Sequence, residues 1–167
     1  VSHRLEKVLE KNGVIYIDDS KATNVDSCLK AVAGLDRETV LLVGGKDKGE
    51  QFGPLFSALK RSRVVHAVLF GECAFRLMNA AMEENFTAVT LCRPFEVAVN
   101  VACLTARPGQ NVLLSPAAAS FDEFRSFEER GEKFAFLVKA YAESSAQEAA
   151  AGDGERGETG KEDTSLD

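Results

Sequence analysis

The sequence predicts one Rossmann-like, three-layer α/β domain built on a mixed sheet of about six strands. Three observations carry that expectation. Short apolar runs alternate with segments of helical period through most of the chain. An Asn12-Gly13 pair separates the first two strand-like runs, so the domain opens with a hairpin and one strand is antiparallel. Polar or glycine-rich loops follow the strands, where open α/β sheets bind their ligands.

In chain order, Arg4 to Lys11 mixes charged residues with Leu5, Val8 and Leu9, and Val14 to Ile17 returns as the second strand. The helix from Val25 to Leu35 places Val25, Cys28, Leu29, Val32 and Leu35 on one face, with Gly34 near its end. Thr39 to Val43 is an unbroken apolar run, the pattern of a strand covered on both faces. Phe52 to Leu59 reads as a helix with Pro54 in its first turn. Strands follow at Val64 to Phe70, Thr87 to Leu91 and Asn111 to Leu114, separated by helices over 72–84 and 96–106. Phe124 and Phe134 are expected in the core, and His66, inside a strand, as a structural residue. Residues 1–142 form the domain; residues 143–167 lose aromatics, gain Gly, Ala and acids, and read as a disordered acidic tail.

A chain of 167 residues, 45% hydrophobic and 28% charged, has the composition of one globular domain with a sizeable core. The net charge of −6 is carried wholly by the tail, where eight acids face two bases from Glu143 onward. The body is neutral, so nothing attracts nucleic acid, and no apolar run reaches the length of a membrane span. Cys28, Cys73, Cys92 and Cys103 lack metal-binding spacing and read as buried free thiols suited to a reducing cytoplasm. The chain starts at Val1 and opens almost directly on a strand, as expected of a piece of a longer protein.

The densest chemistry lies in Asp18-Asp19-Ser20-Lys21-Ala22-Thr23-Asn24, where six of seven side chains are polar. Thr23 or Asn24 capping the next helix would occupy one of them. The stretch Gly44-Gly45-Lys46-Asp47-Lys48-Gly49 lets backbone approach a ligand, but it lacks the GKS or GKT of a phosphate loop and is not one. The small residues of Ser115-Pro116-Ala117-Ala118-Ala119-Ser120 leave space and expose backbone N–H groups. These loops define a cleft lined by Asp19, Lys21, Thr23, Lys48 and Ser120. Two lysines and two hydroxyls there favour a small dicarboxylate.

Taken with His3-Arg4 and Phe127-Glu128-Glu129-Arg130-Gly131, these motifs resemble the C-terminal domain of the Mur ligases, from about His3 to Val138. The likeness is nearest to members that join D-glutamate to UDP-N-acetylmuramoyl-L-alanine in peptidoglycan synthesis. It implies a cytoplasmic, monomeric, ATP-dependent amide ligase, with ATP and Mg2+ held mainly by a central domain outside this chain. The resemblance assigns His3, Arg4 and Asp19 to the nucleotide. It assigns Lys21, Thr23, Lys48, Ser120, Phe121 and Phe127 to D-glutamate, Phe121 chiefly through its backbone. No residue is assigned as catalytic or as a metal ligand. Gln51 stands where the family often has Asp, and Ala118 where it often has Cys; neither is among the assigned residues. Without a phosphate loop or a UDP-binding domain, the chain alone is expected not to turn over. Two further readings remain: the same module from an amide ligase for another amino acid, and a stand-alone binding domain without catalysis.

Overall fold

The computed structural model describes residues 1–158, with side-chain surroundings through residue 146. Its six strands are β1 (Glu6–Lys11), β2 (Val14–Asp18), β3 (Thr39–Gly44), β4 (Val64–Phe70), β5 (Val89–Leu91) and β6 (Asn111–Leu114). Its helices are α1 (Val25–Ala33), α2 (Gly53–Leu59), α3 (Ala74–Glu83), α4 (Phe95–Thr105) and α5 (Phe127–Glu158). The sheet order is β1-β2-β6-β3-β4-β5, with β1 antiparallel to β2 and every other pairing parallel. At the hairpin, Asn12 and Gly13 both take positive φ (53° and 79°), the geometry that a two-residue turn of this hand demands.

Both faces of the sheet are covered, and strand parity sorts the side chains. Leu41, Val43, Ala67, Leu69 and Leu113 join the core under α1, α2 and α3. Their neighbours Val40, Leu42, Val68, Val112 and Leu114 join the core under α4 and α5. That two-sided burial is why β3, fully buried along its length, reads as an unbroken apolar run. Phe134 is fully buried and Phe124 packs against the second core, as the sequence led us to expect. His66 Nε2 lies 2.8 Å from Thr90 Oγ1 on the neighbouring edge strand, a structural role, and burial lowers its pKa. All four cysteines are free and buried; burial pushes the Cys28 and Cys103 thiols up to about 12.

One boundary differs from the sequence reading. The domain was expected to end near Ala142, with a disordered tail over 143–167, yet α5 continues to Glu158. Ala and Glu, the commonest residues of this stretch, are strong helix formers. Residues 159–167 lie outside the described part. Among the described residues no helix is long and apolar enough to cross a membrane.

Chain order places the site. From β2 the chain crosses by α1 to β3, and β6 later inserts between them by way of α4 on the other face. The loops leaving β2, β3 and β6 therefore meet at the carboxyl ends, at the point where strand order reverses.

Candidate active-site cleft

The β2 loop is organised by two adjacent acids that point opposite ways. Asp18 has the parity of Val14 and Tyr16 and faces α5, where His3 Nδ1 donates to its Oδ2 at 2.6 Å and Ser20 N to its Oδ1 at 2.9 Å. Asp19 turns toward α1; its carboxylate accepts from Leu5 N at 3.2 Å and from Ser115 Oγ at 2.7 Å. Burial raises the Asp19 pKa, and the Asp18 charge adds to the rise. The Ser115 and Leu5 hydrogen bonds and the Arg4 charge oppose it. Lys21 N donates to the His3 carbonyl, so the entering segment is knitted to this loop. His3 and Leu5 hold positive φ (63° and 45°), a conformation non-glycine residues keep only when their surroundings fix it.

Asn24 caps α1, its side chain accepting from Ser27 N at 2.9 Å. The cap accounts for one polar side chain, and Asp18, Asp19 and Ser20 are tied into the scaffold. Among the described residues, the side chains of Lys21 and Thr23 enter none of these bonds. Arg4, Asp19 and Lys21 line a cleft of about 220 Å³ together with Ser27 and Lys30 of α1, so three cations ring one buried carboxylate. A larger groove of about 640 Å³ lies between the C-terminal ends of α1 and α2, near Arg61 and Arg63, and contains none of these residues.

The β3 loop approaches through two glycines with φ of 150° and 143°. A Cβ at Gly44 would strike the Phe70 carbonyl, and one at Gly45 the Ala119 carbonyl. Lys46 N donates to Ala119 O at 2.8 Å, binding this loop to the one after β6. The two lysines of the loop then separate. Lys46 pairs with Glu72 at 3.2 Å, whereas Lys48 turns to the β2 loop and donates to the Thr23 carbonyl at 3.2 Å. On the β6 loop Ser120 is 1% exposed, and among the described residues its Oγ has no hydrogen-bond partner. A buried hydroxyl rarely goes unpartnered.

A family model described as Mur ligase, glutamate ligase domain, matches residues 3–118. The chain belongs to this family. Two relatives named UDP-N-acetylmuramoylalanine–D-glutamate ligase illustrate how near the likeness is. The one from Pelobacter propionicus is 47% identical over 140 residues, covering 83% of this chain and 30% of the relative. The one from Chlamydia abortus is 43% identical over 136 residues, covering 81% and 32%. The chain thus spans about a third of the length of the curated relatives it matches. In fold it is similar to UDP-N-acetylmuramate-alanine ligase of Thermotoga maritima (TM-score 0.61, 12% identity, 86% of this chain and 31% of that one). It is likewise similar to the bifunctional folylpolyglutamate synthase/dihydrofolate synthase of Yersinia pestis complexed with AMPPNP and Mn (TM-score 0.56, 17% identity, 84% and 31%).

Within this Mur ligase domain the residues singled out in the sequence fall into groups. Arg4, Asp19 and Lys21 share the cleft; Thr23 and Lys48 meet each other outside its lining; Ser120 lies on the β6 loop. His3 is not among the cleft's lining residues, because its ring is held by Asp18 and by the edge of Phe127, with centroids 6.4 Å apart. Phe127 also supports the β2 loop, its carbonyl accepting from Ser20 Oγ at 2.7 Å. Phe121 is 68% exposed.

Sequence reasoning quoted Arg130 and Gly131 within a motif but assigned neither a role. Arg130 is fully buried, donating from Nε to Ser20 Oγ (2.9 Å), from Nη2 to Ser20 O (2.8 Å) and from Nη1 to Ala118 O (3.0 Å). Gly131 lets α5 lie against the His3–Asp18 pair. The signal was present: positions 127, 130, 131, 134 and 138 form one helical stripe, and a charge on it must be buried.

Proposed function

We propose that this chain is the amino-acid-binding domain of an ATP-dependent UDP-N-acetylmuramoylalanine–D-glutamate ligase, serving peptidoglycan precursor synthesis. The observation that carries the reading is the meeting of three strand-end loops: Lys48 donates to the Thr23 carbonyl, and Lys46 N donates to Ala119 O beside Ser120, whose hydroxyl has no partner among the described residues. Lys48 and the Thr23 hydroxyl hold one carboxylate of D-glutamate, and Ser120 with neighbouring backbone N–H groups holds the other. Lys21 adds positive charge on the side of the β2 loop, and Phe121 and Phe127 border the pocket. A dicarboxylate held at both ends presents its amine in one direction, which is what attack on an activated carboxyl group requires.

The adjoining cleft fits a nucleotide by its donor set. Arg4 faces phosphate, and the Asp19 carboxylate, held by Leu5 N and Ser115 Oγ, lines the cleft beside it. His3, fixed by Asp18, keeps Arg4 in place. ATP supplies the phosphoryl group that activates the carboxyl substrate. Mg2+ belongs to the part of the enzyme outside this chain. His3, Glu6 and Asp18 do bring ligand atoms within 4.8 Å of one another, but both Asp18 oxygens already accept hydrogen bonds.

Lys48→Ala tests the reading in the enzyme reassembled with its preceding domains. A lysine–carboxylate hydrogen bond sheltered from water contributes roughly 1.5–3 kcal/mol, so the D-glutamate KM should rise by about one to two orders of magnitude. The ATP KM and the melting temperature should hardly move, because Lys48 is exposed and, among the described residues, its ammonium donates to Thr23 O alone. An unchanged D-glutamate KM places the pocket elsewhere. Equal shifts for both substrates make Lys48 a residue of closure or chemistry.

A further inference from the structure

The two arms of the proposed pocket sit on different loops, and one side chain touches both. Ser20 belongs to the β2 loop and immediately precedes Lys21, three residues before Thr23; Ala118 belongs to the β6 loop, two residues before Ser120. The Arg130 guanidinium grips Ser20 at its hydroxyl and its carbonyl and grips Ala118 at its carbonyl. A planar fork with fixed donor directions can satisfy three acceptors on two loops only when those loops keep one separation. Ser20 Oγ in turn donates to Phe127 O, one turn earlier on α5, so the staple closes on its own helix.

Nothing in ordinary core packing calls for a charge here. Arg130 forms no ion pair among the described residues, and burial pushes its pKa down to about 10, against the pull of Asp122 and Asp18. A cation buried without a carboxylate partner is costly. Gly45 makes room for it: a Cβ there would lie 3.1 Å from Arg130 Nη1.

We propose that Arg130 is a positioning residue for the amino-acid pocket, a guanidinium staple that fixes the spacing between the Lys21–Thr23 arm and the Ser120 arm. The inference rests on the pocket reading above. It predicts a selective defect, since the nucleotide side has anchors of its own: Asp19 is held by Leu5 N, Ser115 Oγ and Leu114 O, none of which involves Arg130.

The test uses the reassembled enzyme carrying Arg130→Lys, Ser20→Ala or both, beside Lys48→Ala. Lysine keeps the charge but lacks the fork; Ser20→Ala removes one acceptor and the link to Phe127 while leaving the arginine in place. Each single variant should raise the D-glutamate KM by about tenfold, the scale of one charge-assisted hydrogen bond. The ATP KM should stay within about twofold, and kcat should fall less than the D-glutamate KM rises. The double variant should be little worse than the poorer single one, because both changes break the same staple. Full retention of the D-glutamate KM in Arg130→Lys, with Lys48→Ala still impaired, overturns the staple and leaves the pocket standing. Unchanged KM in Lys48→Ala overturns the pocket itself. Equal shifts for ATP and D-glutamate reduce Arg130 to a structural residue and also refute the proposal. If Arg130→Lys does not fold, Ser20→Ala decides by the same criteria.

Discussion

Replacing Gly131 by alanine sets two effects of opposite sign against each other. In the interior of an ordinary helix Gly→Ala stabilises by about 0.8–1 kcal/mol, and Gly131 has no positive φ to complicate the exchange. Here the new Cβ would lie 2.6 Å from Asp18 Oδ2 and on top of His3 Nδ1, closer than real Cβ atoms come. Either the His3–Asp18 hydrogen bond breaks or α5 moves off the sheet. Losing a charge-assisted bond to an acid that is 1% exposed costs roughly 1.5–3 kcal/mol. The penalty wins, and net destabilisation should be about 1–2 kcal/mol. At about 2–4 °C per kcal/mol for a domain of this size, the melting temperature should fall by about 3–6 °C. Urea unfolding followed by circular dichroism gives the free energy, and a thermal scan gives the midpoint. Gly53→Ala is the control: it starts α2, and its Cβ would meet only Glu84 Oε1 at 3.7 Å, so it should be neutral or slightly stabilising. A higher melting temperature for Gly131→Ala would mean that the His3–Asp18 pair yields at no cost, and the argument for a close-approach glycine would fail.

Asp19→Asn should raise stability at neutral pH while weakening ATP binding. Because burial raises the folded-state pKa of Asp19, ionising it costs stability that builds as pH rises from the unfolded pKa to the folded one and is complete above the folded pKa. The gain from Asn should therefore vanish as pH falls below the unfolded carboxylate pKa, where both states of the parent are protonated; melting curves across the acid range check this, and a gain that persists there contradicts it. Removing residues 147–167 should shift the melting temperature by less than about 2 °C, since this stretch holds no large apolar side chain except Leu166. A loss of several degrees on truncation would show that the segment packs on the domain.

Much of this protein was legible in its residues because the relevant physics is local. The period of apolar positions, the Asn12-Gly13 turn and the two-sided burial of Thr39 to Val43 fix elements and fold class without reference to distant partners. The strand-end position of Asp18 to Asn24 and the glycines at 44 and 45 likewise pointed to one edge of the sheet. The reading of residues 143–167 as a disordered tail rested on the loss of aromatics and the gain of Gly, Ala and acids, whereas α5 runs to Glu158 through a stretch where Ala and Glu favour a helix by themselves. Other decisions belong to tertiary structure, since they depend on which loops share a corner of space. The sequence reading chose Lys48 over Lys46, but the physical reason is tertiary: Glu72, on the loop after β4, draws Lys46 away, while Lys48 donates to the Thr23 carbonyl. Sequence could not say that Asp18 and Asp19 serve opposite faces, a consequence of strand parity and of β6 inserting beside β2. Arg130 shows the difference most plainly: its place on the apolar stripe of α5 marks a buried charge, but only a fold that brings Ser20 and Ala118 to its guanidinium makes it a connection between two loops.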